Sequence, residues 1–578
     1  MALLLRRKHK NKVLMLLAVL SMSLGYAVTT NAQMQNEEAF ASLIESIITK
    51  NNTGAGGTTA GVKLANRSVM GPFYQSREFA PLWVSRNGDT GRAAEALDIF
   101  KASWTHGLNP KTYHAAEIGE LLESKTAEDK ARLEVLVTDA AVRYGRDLSG
   151  MRINPGAIKQ KAEYWRKPLT GEAVLERIKA SASPVRALRE LEPNTPLYKA
   201  LQKELVSLTE QRKDYESVLP LGFGGSKHFT PGSKNKDVAG LRVRLGITHR
   251  AEWGAPNFYD DETAAAVMRL QREHGLEADG IIGPQTLSVL NQTTRARMEQ
   301  VVANLERLRW LEQERPERYL LVNIPQQLVW AVEDGEVEFE SKVVVGMPQR
   351  RTMDFRADVT GIRFNPNWTV PMGIKMADFV PKLIDNPDYM TQKGMEIIQG
   401  GESIDPSSVD WENVSRSEIS SMRFVQAAGD NNALGQIRVL MPNDYNIYMH
   451  DTNHPEFFEK DVRTYSSGCI RLSEPEKIAE FVLAHTKDWS TEKMNNLIAS
   501  GRTVEISADK PFPVFVIYQS MWLDDSGRLV YGADVYKRDK QLIDVLAQMD
   551  GYSLPKNADG HLASASAGGG DSALAYND

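Results

Sequence analysis

Cysteine is almost missing from this sequence. The 578 residues contain one, Cys469, so no internal disulfide can form and no thiolate cage for zinc or an iron–sulfur cluster can be built. An excess of basic charge is missing too. Lysine and arginine number 69 against 75 aspartates and glutamates, a formal net charge of −6, which argues against a nucleic-acid footprint. Long apolar runs are missing except for one near the N-terminus, which excludes a multi-span membrane protein. What remains, 42% hydrophobic and 25% charged residues, is a globular composition, and the length asks for about three or four domains.

The N-terminus opens with a basic cluster, RRKHKNK at residues 6–12. An apolar run follows from Val13 to Val28, then small residues at Thr30 and Ala32. This is the three-part layout of a secretory signal, with cleavage expected after Ala32. The run is shorter than the roughly 20 residues a spanning helix needs, so a retained membrane anchor is the lesser reading. The expected location is the periplasm, with membrane contact only through this segment. Exported proteins usually pair their cysteines, so an exported thiol without a partner marks a reactive group.

Beyond 1–32, the composition reads as a flexible lead-in over 33–70 and a helical scaffold over 71–215. A Gly-, Pro- and Ser-rich linker covers 216–236. Residues 237–291 read as three short helices around Leu241, Leu245, Val267, Leu270, Leu276, Ile282, Leu287 and Leu290. Asp260 or Asp261 opens the middle helix, Gly275 closes it and Gly283-Pro284 starts the third. The string FYDDETAAAVMRLQREHGLEADGIIGPQTLSVLN in this unit resembles the small peptidoglycan-binding domain that accompanies many wall enzymes. A bridging helix is expected over 292–315, with apolar Met298, Val301, Val302, Leu305, Leu308 and Leu311 on one face. From Tyr319 the period turns strand-like, with a turn at Asp334-Gly335. A mixed insertion interrupts this region at 374–420. Ser473 and Glu476 have capping-box spacing ahead of a helix, a hairpin follows from Pro511, and the Gly/Ala/Ser-rich tail 552–578 reads as disordered.

The chemistry gathers in IYMHDTNHPEFFEKDVRTYSSGCIRL, residues 447–472. His450 stands 19 residues before Cys469 and His454 stands 15 before it. IYMH reads as a strand end presenting His450. Gly468 lets the chain turn sharply, so the amides of Ser467, Gly468 and Cys469 can face one oxygen, as an oxyanion hole requires. A thiol is mostly protonated at neutral pH, and an imidazole can take its proton and later return it to a leaving amine. A loop-to-helix junction after Cys469 would add the field of a helix N-terminus.

SSGCIR also resembles the signature of the L,D-transpeptidase catalytic domain, and MHDT resembles that family's catalytic histidine segment at a matching distance. FNPNWTVP, VVVGMPQRRT and RFVQAAGDNNALGQIRVLMPN resemble further parts of it. Ser467 stands where the family usually has His, and Thr352-Met353 where it usually has Thr-Pro. The resemblance implies a multidomain α+β protein: a helical scaffold, a three-helix wall-binding domain and a mostly-β catalytic domain over 316–545, with residues 374–420 as a lid. It implies Cys469 as nucleophile, His450 as base and then acid, and the Asp451 carbonyl orienting the imidazole. Ser467, Gly468 and Cys469 would supply the oxyanion hole, with Tyr448 and Arg471 lining the substrate site. Arg471 stays open between binding a substrate carboxylate and bracing the loop by a salt bridge. Trp368 is expected in the core, and His454 is the lesser candidate for the base.

The implied reaction is 3→3 crosslinking of peptidoglycan stem peptides, donor and acceptor, through a thioester on Cys469. It needs no metal or cofactor, and carbapenems would acylate the thiol. The alternatives are the same site hydrolysing stems or attaching a protein to the wall, or a non-catalytic wall-binding scaffold.

Overall fold

The computed structural model describes residues 36–49, 58–59, 62–85, 87–161, 164–211, 220–226, 228–312 and 314–555. The expected signal peptide and nearly all of the expected disordered tail lie outside them. Among the described residues no helix is long and apolar enough to cross a membrane. The fold is α+β, with helices concentrated in the N-terminal half and one large sheet in the C-terminal half.

The chain forms two compact units. One comprises the residues up to Arg152, Lys167–Thr195 and the chain from Leu546; the other comprises Ile153–Arg166 and Pro196–Val545. The helical region expected over 71–215 is therefore divided, because Pro196–Gln211 packs with the second unit. The lead-in expected to be flexible contains a helix over 36–49, and its Ile44 and Ile48 enter the core of the first unit. Their i, i+4 spacing puts both on one helix face.

The axis of the first unit is the helix Ala127–Ser149, capped by Thr126, whose hydroxyl accepts the Asp129 N–H at 3.1 Å. Glu134 on this helix is fully buried. Its carboxylate accepts the N–H groups of Leu82, Trp83 and Val84 at 2.6, 2.8 and 2.9 Å and the Tyr74 hydroxyl at 2.6 Å. One side chain thus replaces the hydrogen bonds that three consecutive loop amides would otherwise lack.

In the second unit, the small helical domain uses helices Val238–Arg244, Asp261–Glu273 and Pro284–Leu290. Asp260 is the N-cap of the middle helix, and Gly275 takes a φ of +63° at its end. The segment expected as a linker is part of this domain. Phe223 and Phe229 stack with ring centroids 4.6 Å apart, and Phe229 stacks on Tyr259 at 5.4 Å. Its many glycines allow the turns that bring these rings together. Leu276 lies outside that core. The helix Thr294–Trp310 follows, with Met298, Val301, Val302 and Leu305 fully buried.

The C-terminal half contains a nine-stranded sheet. In chain order its strands are β1 (Arg318–Asn323), β2 (Leu328–Glu333), β3 (Glu336–Gly346), β4 (Phe355–Phe364), β5 (Ile437–Leu440), β6 (Met449–His450), β7 (Thr464–Ser466), β8 (Ile470–Leu472) and β9 (Val504–Ile517). The spatial order is β7-β3-β8-β6-β5-β4-β9-β1-β2, and β2 also pairs with β3, which closes the sheet into a barrel. The stretch read as one strand before Asp334 is two, β1 and β2. The expected hairpin is confined to Met521–Leu523 and Leu529–Tyr531, because the residues before it join β9.

The insertion is larger than 374–420. Val425 pairs with Thr369 and Gln426 with Trp368, so the strands that carry it belong to its own four-stranded sheet. It has a separate core of Val370, Phe379, Leu383, Met390, Ile397, Trp411 and Phe424, among others. The Ser473–Glu476 capping box is absent. The helix Pro475–Leu483 has Glu474 at its N-cap with no side-chain bond, and the Ser473 hydroxyl meets that of Ser341 at 2.9 Å.

Candidate active site

Register builds the site. β6 and β8 are parallel, with Met449 opposite Ile470 and His450 opposite Arg471. β5 lies on the other side of β6, with Arg438 opposite His450. Strand alternation sends Ile437, Val439, Met449, Ile470 and Leu472 into the apolar core. Tyr448, His450, Cys469, Arg471 and Arg438 therefore share the opposite face. The transverse row continues through Arg363 on β4 to Glu505 on β9.

His450 is buried at 4% exposure. Its Nδ1 lies 2.5 Å from the Asp451 carbonyl oxygen. A carbonyl can only accept, so Nδ1 carries the hydrogen and Nε2 keeps the lone pair. The Asp451 carboxylate is held by the N–H groups of Gln436 and Thr452, at 2.8 and 2.6 Å. Gly435, at φ +60°, must lack a side chain here, because a Cβ would come within 2.1 Å of that carboxylate. His454 differs in every respect. It is exposed, bonds Glu456 at 2.9 Å and stacks on Phe457.

Cys469 is half-buried. Burial raises its thiol above the ordinary range, opposed by hydrogen bonds from the backbone and phenol of Tyr448 and by the charges of Arg438 and Arg471. Burial also lowers His450 to about 3, reinforced by Arg471 and opposed by the Asp451 carbonyl. The resting pair is thus neutral thiol and neutral imidazole.

The loop before Cys469 corrects one expectation. The Gly468 N–H donates to Ser466 Oγ at 3.1 Å, and that hydroxyl donates to the Cys469 carbonyl at 2.5 Å. The Gly468 amide is therefore turned into the loop, away from any shared oxygen. Among the described residues, the amides of Ser467 and Cys469 carry no hydrogen bond, which leaves these two as donors. A strand, β8, separates Cys469 from the following helix, so no helix terminus abuts the thiol.

Three contacts escaped the sequence reading. Thr352 is fully buried, accepts the Gly346 N–H and donates to the Gly468 carbonyl, both at 2.8 Å. Arg350 grips the Asp378 carboxylate of the insertion with both terminal nitrogens and reaches Ser467 Oγ at 2.9 Å. Arg438 lies with its guanidinium 4.1 Å over the Tyr448 ring. The only signal for Arg438 was its outward position in the alternating run Ile437-Arg438-Val439. Trp368 packs against the core of the insertion and lies close enough to Tyr448 to influence its phenol, so it borders the site as well. Arg471 bonds Thr452 Oγ1 at 3.2 Å and, among the described residues, forms no ion pair. The salt-bridge alternative for it is thereby removed.

Comparison with known proteins bears on this geometry. Residues 317–506 match the family model of the L,D-transpeptidase catalytic domain. This chain contains an L,D-transpeptidase catalytic domain. Residues 253–290 match a "Putative peptidoglycan binding domain" and residues 68–205 a "Scaffold domain". A Haemophilus influenzae protein described as "Putative L,D-transpeptidase" is 33% identical over 224 residues, which are 39% of this chain and 45% of that protein. The match thus spans less than half the length of that relative. Two solved structures are also similar. The L,D-transpeptidase of Xylanimonas cellulosilytica is 14% identical, with 50% of this chain and 98% of that one covered and a TM-score of 0.17. The L,D-transpeptidase of Mycobacterium smegmatis is 14% identical, with 35% and 58% covered and a TM-score of 0.17.

Proposed function

We propose that the protein is an exported, periplasmic transpeptidase that forms 3→3 crosslinks between peptidoglycan stem peptides. The observation that carries this reading is the β6–β8 register, which puts Cys469 on one face with an imidazole whose acceptor nitrogen is set by the Asp451 carbonyl. The small domain over 253–290 supports a wall substrate.

In the proposed cycle the Cys469 sulfur bonds to the carbonyl carbon of the third residue of a donor tetrapeptide while its proton passes to His450 Nε2. The developing oxyanion is held by the amides of Ser467 and Cys469. Collapse breaks the C–N bond, and His450 returns the proton to the departing D-alanine amine. The side-chain amine of a second stem then attacks the thioester carbonyl, the C–S bond breaks, and the amine's proton returns through His450 to the thiolate. Because thiol and imidazole both rest neutral, proton transfer accompanies attack instead of preceding it. The residues present supply nucleophile, base and oxyanion donors without a cofactor. Arg471, which forms no ion pair among the described residues, lines the substrate side of His450. The insertion, tied to Ser467 through Arg350, limits water and favours amine acceptors.

The test is incubation with disaccharide-tetrapeptide stems followed by mass spectrometry of the products. Crosslinked dimer with release of D-alanine, lost in Cys469→Ala, is expected, together with a carbapenem adduct on Cys469. Tripeptide alone would reassign the site to hydrolysis. Neither product nor adduct would reduce the protein to a wall-binding scaffold.

A further inference from the structure

We infer that Arg438 is a specificity-determining residue, whose guanidinium on the Cys469 face binds the free carboxylate at the C-terminal end of the donor peptide. The inference rests on the reading that Cys469 attacks a peptide carbonyl.

Three observations carry it. The first is placement. Arg438 stands opposite His450 in the β5–β6 pair and lies 4.1 Å over the Tyr448 ring, and the Tyr448 carbonyl accepts the N–H of Ile470, the residue after Cys469, at 3.0 Å. One tyrosine therefore separates the cation from the nucleophile. The second is the lack of a counter-charge. Among the described residues Arg438 forms no ion pair and its buried Nε has no acceptor. The charged and titratable groups around it include Arg363, Tyr448, His450, Cys469 and Glu505, and Glu505 is already gripped by Arg363. A guanidinium kept partly out of water without an anion is costly, and a bound carboxylate removes that cost. The third is the contrast with Arg471, on the other side of His450. Both leave a buried Nε without an acceptor, but Arg471 donates to Thr452 Oγ1 at 3.2 Å. Among the described residues the Arg438 side chain donates no hydrogen bond.

The chemistry then selects the donor. When the leaving group is a single amino acid, its carboxylate lies one residue beyond the attacked carbonyl, a span of about 3.3–3.6 Å. In a longer leaving peptide that carbon is a neutral amide. A cation near the thiol therefore distinguishes a one-residue leaving group from a longer one.

The test uses the full chain and two thiol reagents of similar size, anionic iodoacetate and neutral iodoacetamide, at one mildly alkaline pH. Arg438→Gln is expected to lower the iodoacetate-to-iodoacetamide rate ratio about tenfold, the scale of one charge-assisted hydrogen bond. Arg438→Lys should restore part of it. The double variant Arg363→Gln/Glu505→Gln, which removes that ion pair without freeing a carboxylate beside Arg438, should leave the ratio unchanged. With tetrapeptide donors, Arg438→Gln should lose preference for the free acid over the C-terminal amide. An unchanged ratio in a folded Arg438→Gln variant, or an equal fall in the double variant, would overturn the assignment. Cys469 inert to both reagents would instead overturn the nucleophile reading, and this inference with it.

Discussion

Glu134 and Arg438 are both charges drawn away from water, and the protein treats them in opposite ways. Glu134 accepts three consecutive backbone N–H groups and a phenol, so its carboxylate acts as a staple between the long helix and the loop at Leu82–Val84. Arg438 sits in a strand with an aromatic ring beneath it and, among the described residues, no ion pair. A charge whose partners are all protein belongs to the architecture. A charge without a protein partner, close to a thiol, is open to a ligand.

The contrast is easiest to break at Glu134. Glu134→Ala orphans several buried donors and should cost about 3–5 kcal/mol in urea unfolding of the helical unit. Arg438→Gln orphans nothing and should change stability by less than about 1 kcal/mol of either sign. A large loss there would make Arg438 a structural residue.

Thr352→Val sharpens the comparison from the site's own side. It removes both hydrogen bonds that tie Gly346 and the Gly468 carbonyl together, at a cost of about 1–2 kcal/mol. Alkylation of Cys469 by iodoacetamide should change along with melting temperature, whereas Glu134→Ala should leave the alkylation rate of still-folded protein unaltered.

His450 supplies a pH dependence. Its folded value is lowered from 6.5 to about 3. Between these values the unfolded chain takes up a proton that the folded chain refuses, so stability falls as pH drops through that window and is fully present above it. His450→Gln should flatten this part of a pH–melting curve. Parallel curves for the variant and the parent would show that the imidazole is not buried as described. The smallest effect is expected for Asp378→Asn. The Arg350–Asp378 pair is about a third exposed, worth at most about 1 kcal/mol after screening. Faster amide exchange should nevertheless appear across residues 368–426 and at Ser467, where Arg350 makes its other contact.

Much of this was legible in the chain itself. The lone cysteine, the histidine on a strand end and the alternation around Val439, Met449 and Ile470 pick out His450's strand and the neighbouring strand that follows Cys469. The N-cap at Asp260 and the turn at Gly275 follow from local hydrogen bonding. The oxyanion donors were misjudged at Gly468 because a serine two residues earlier captures its amide, a competition that composition does not reveal. The linker was misjudged because glycines spaced among Phe223, Phe229 and Tyr259 look the same whether or not the rings meet.

The sequence by itself determined period, the Asp260 cap and the lone thiol, because these depend on residues within a few positions of one another. The tertiary structure alone decided that His450 and Arg438 share a row, that Thr352 holds the Cys469 loop and that, among the described residues, Arg438 forms no ion pair. Charge compensation depends on which distant strands pair and in what register, and a one-residue slip would send each of these side chains to the other face.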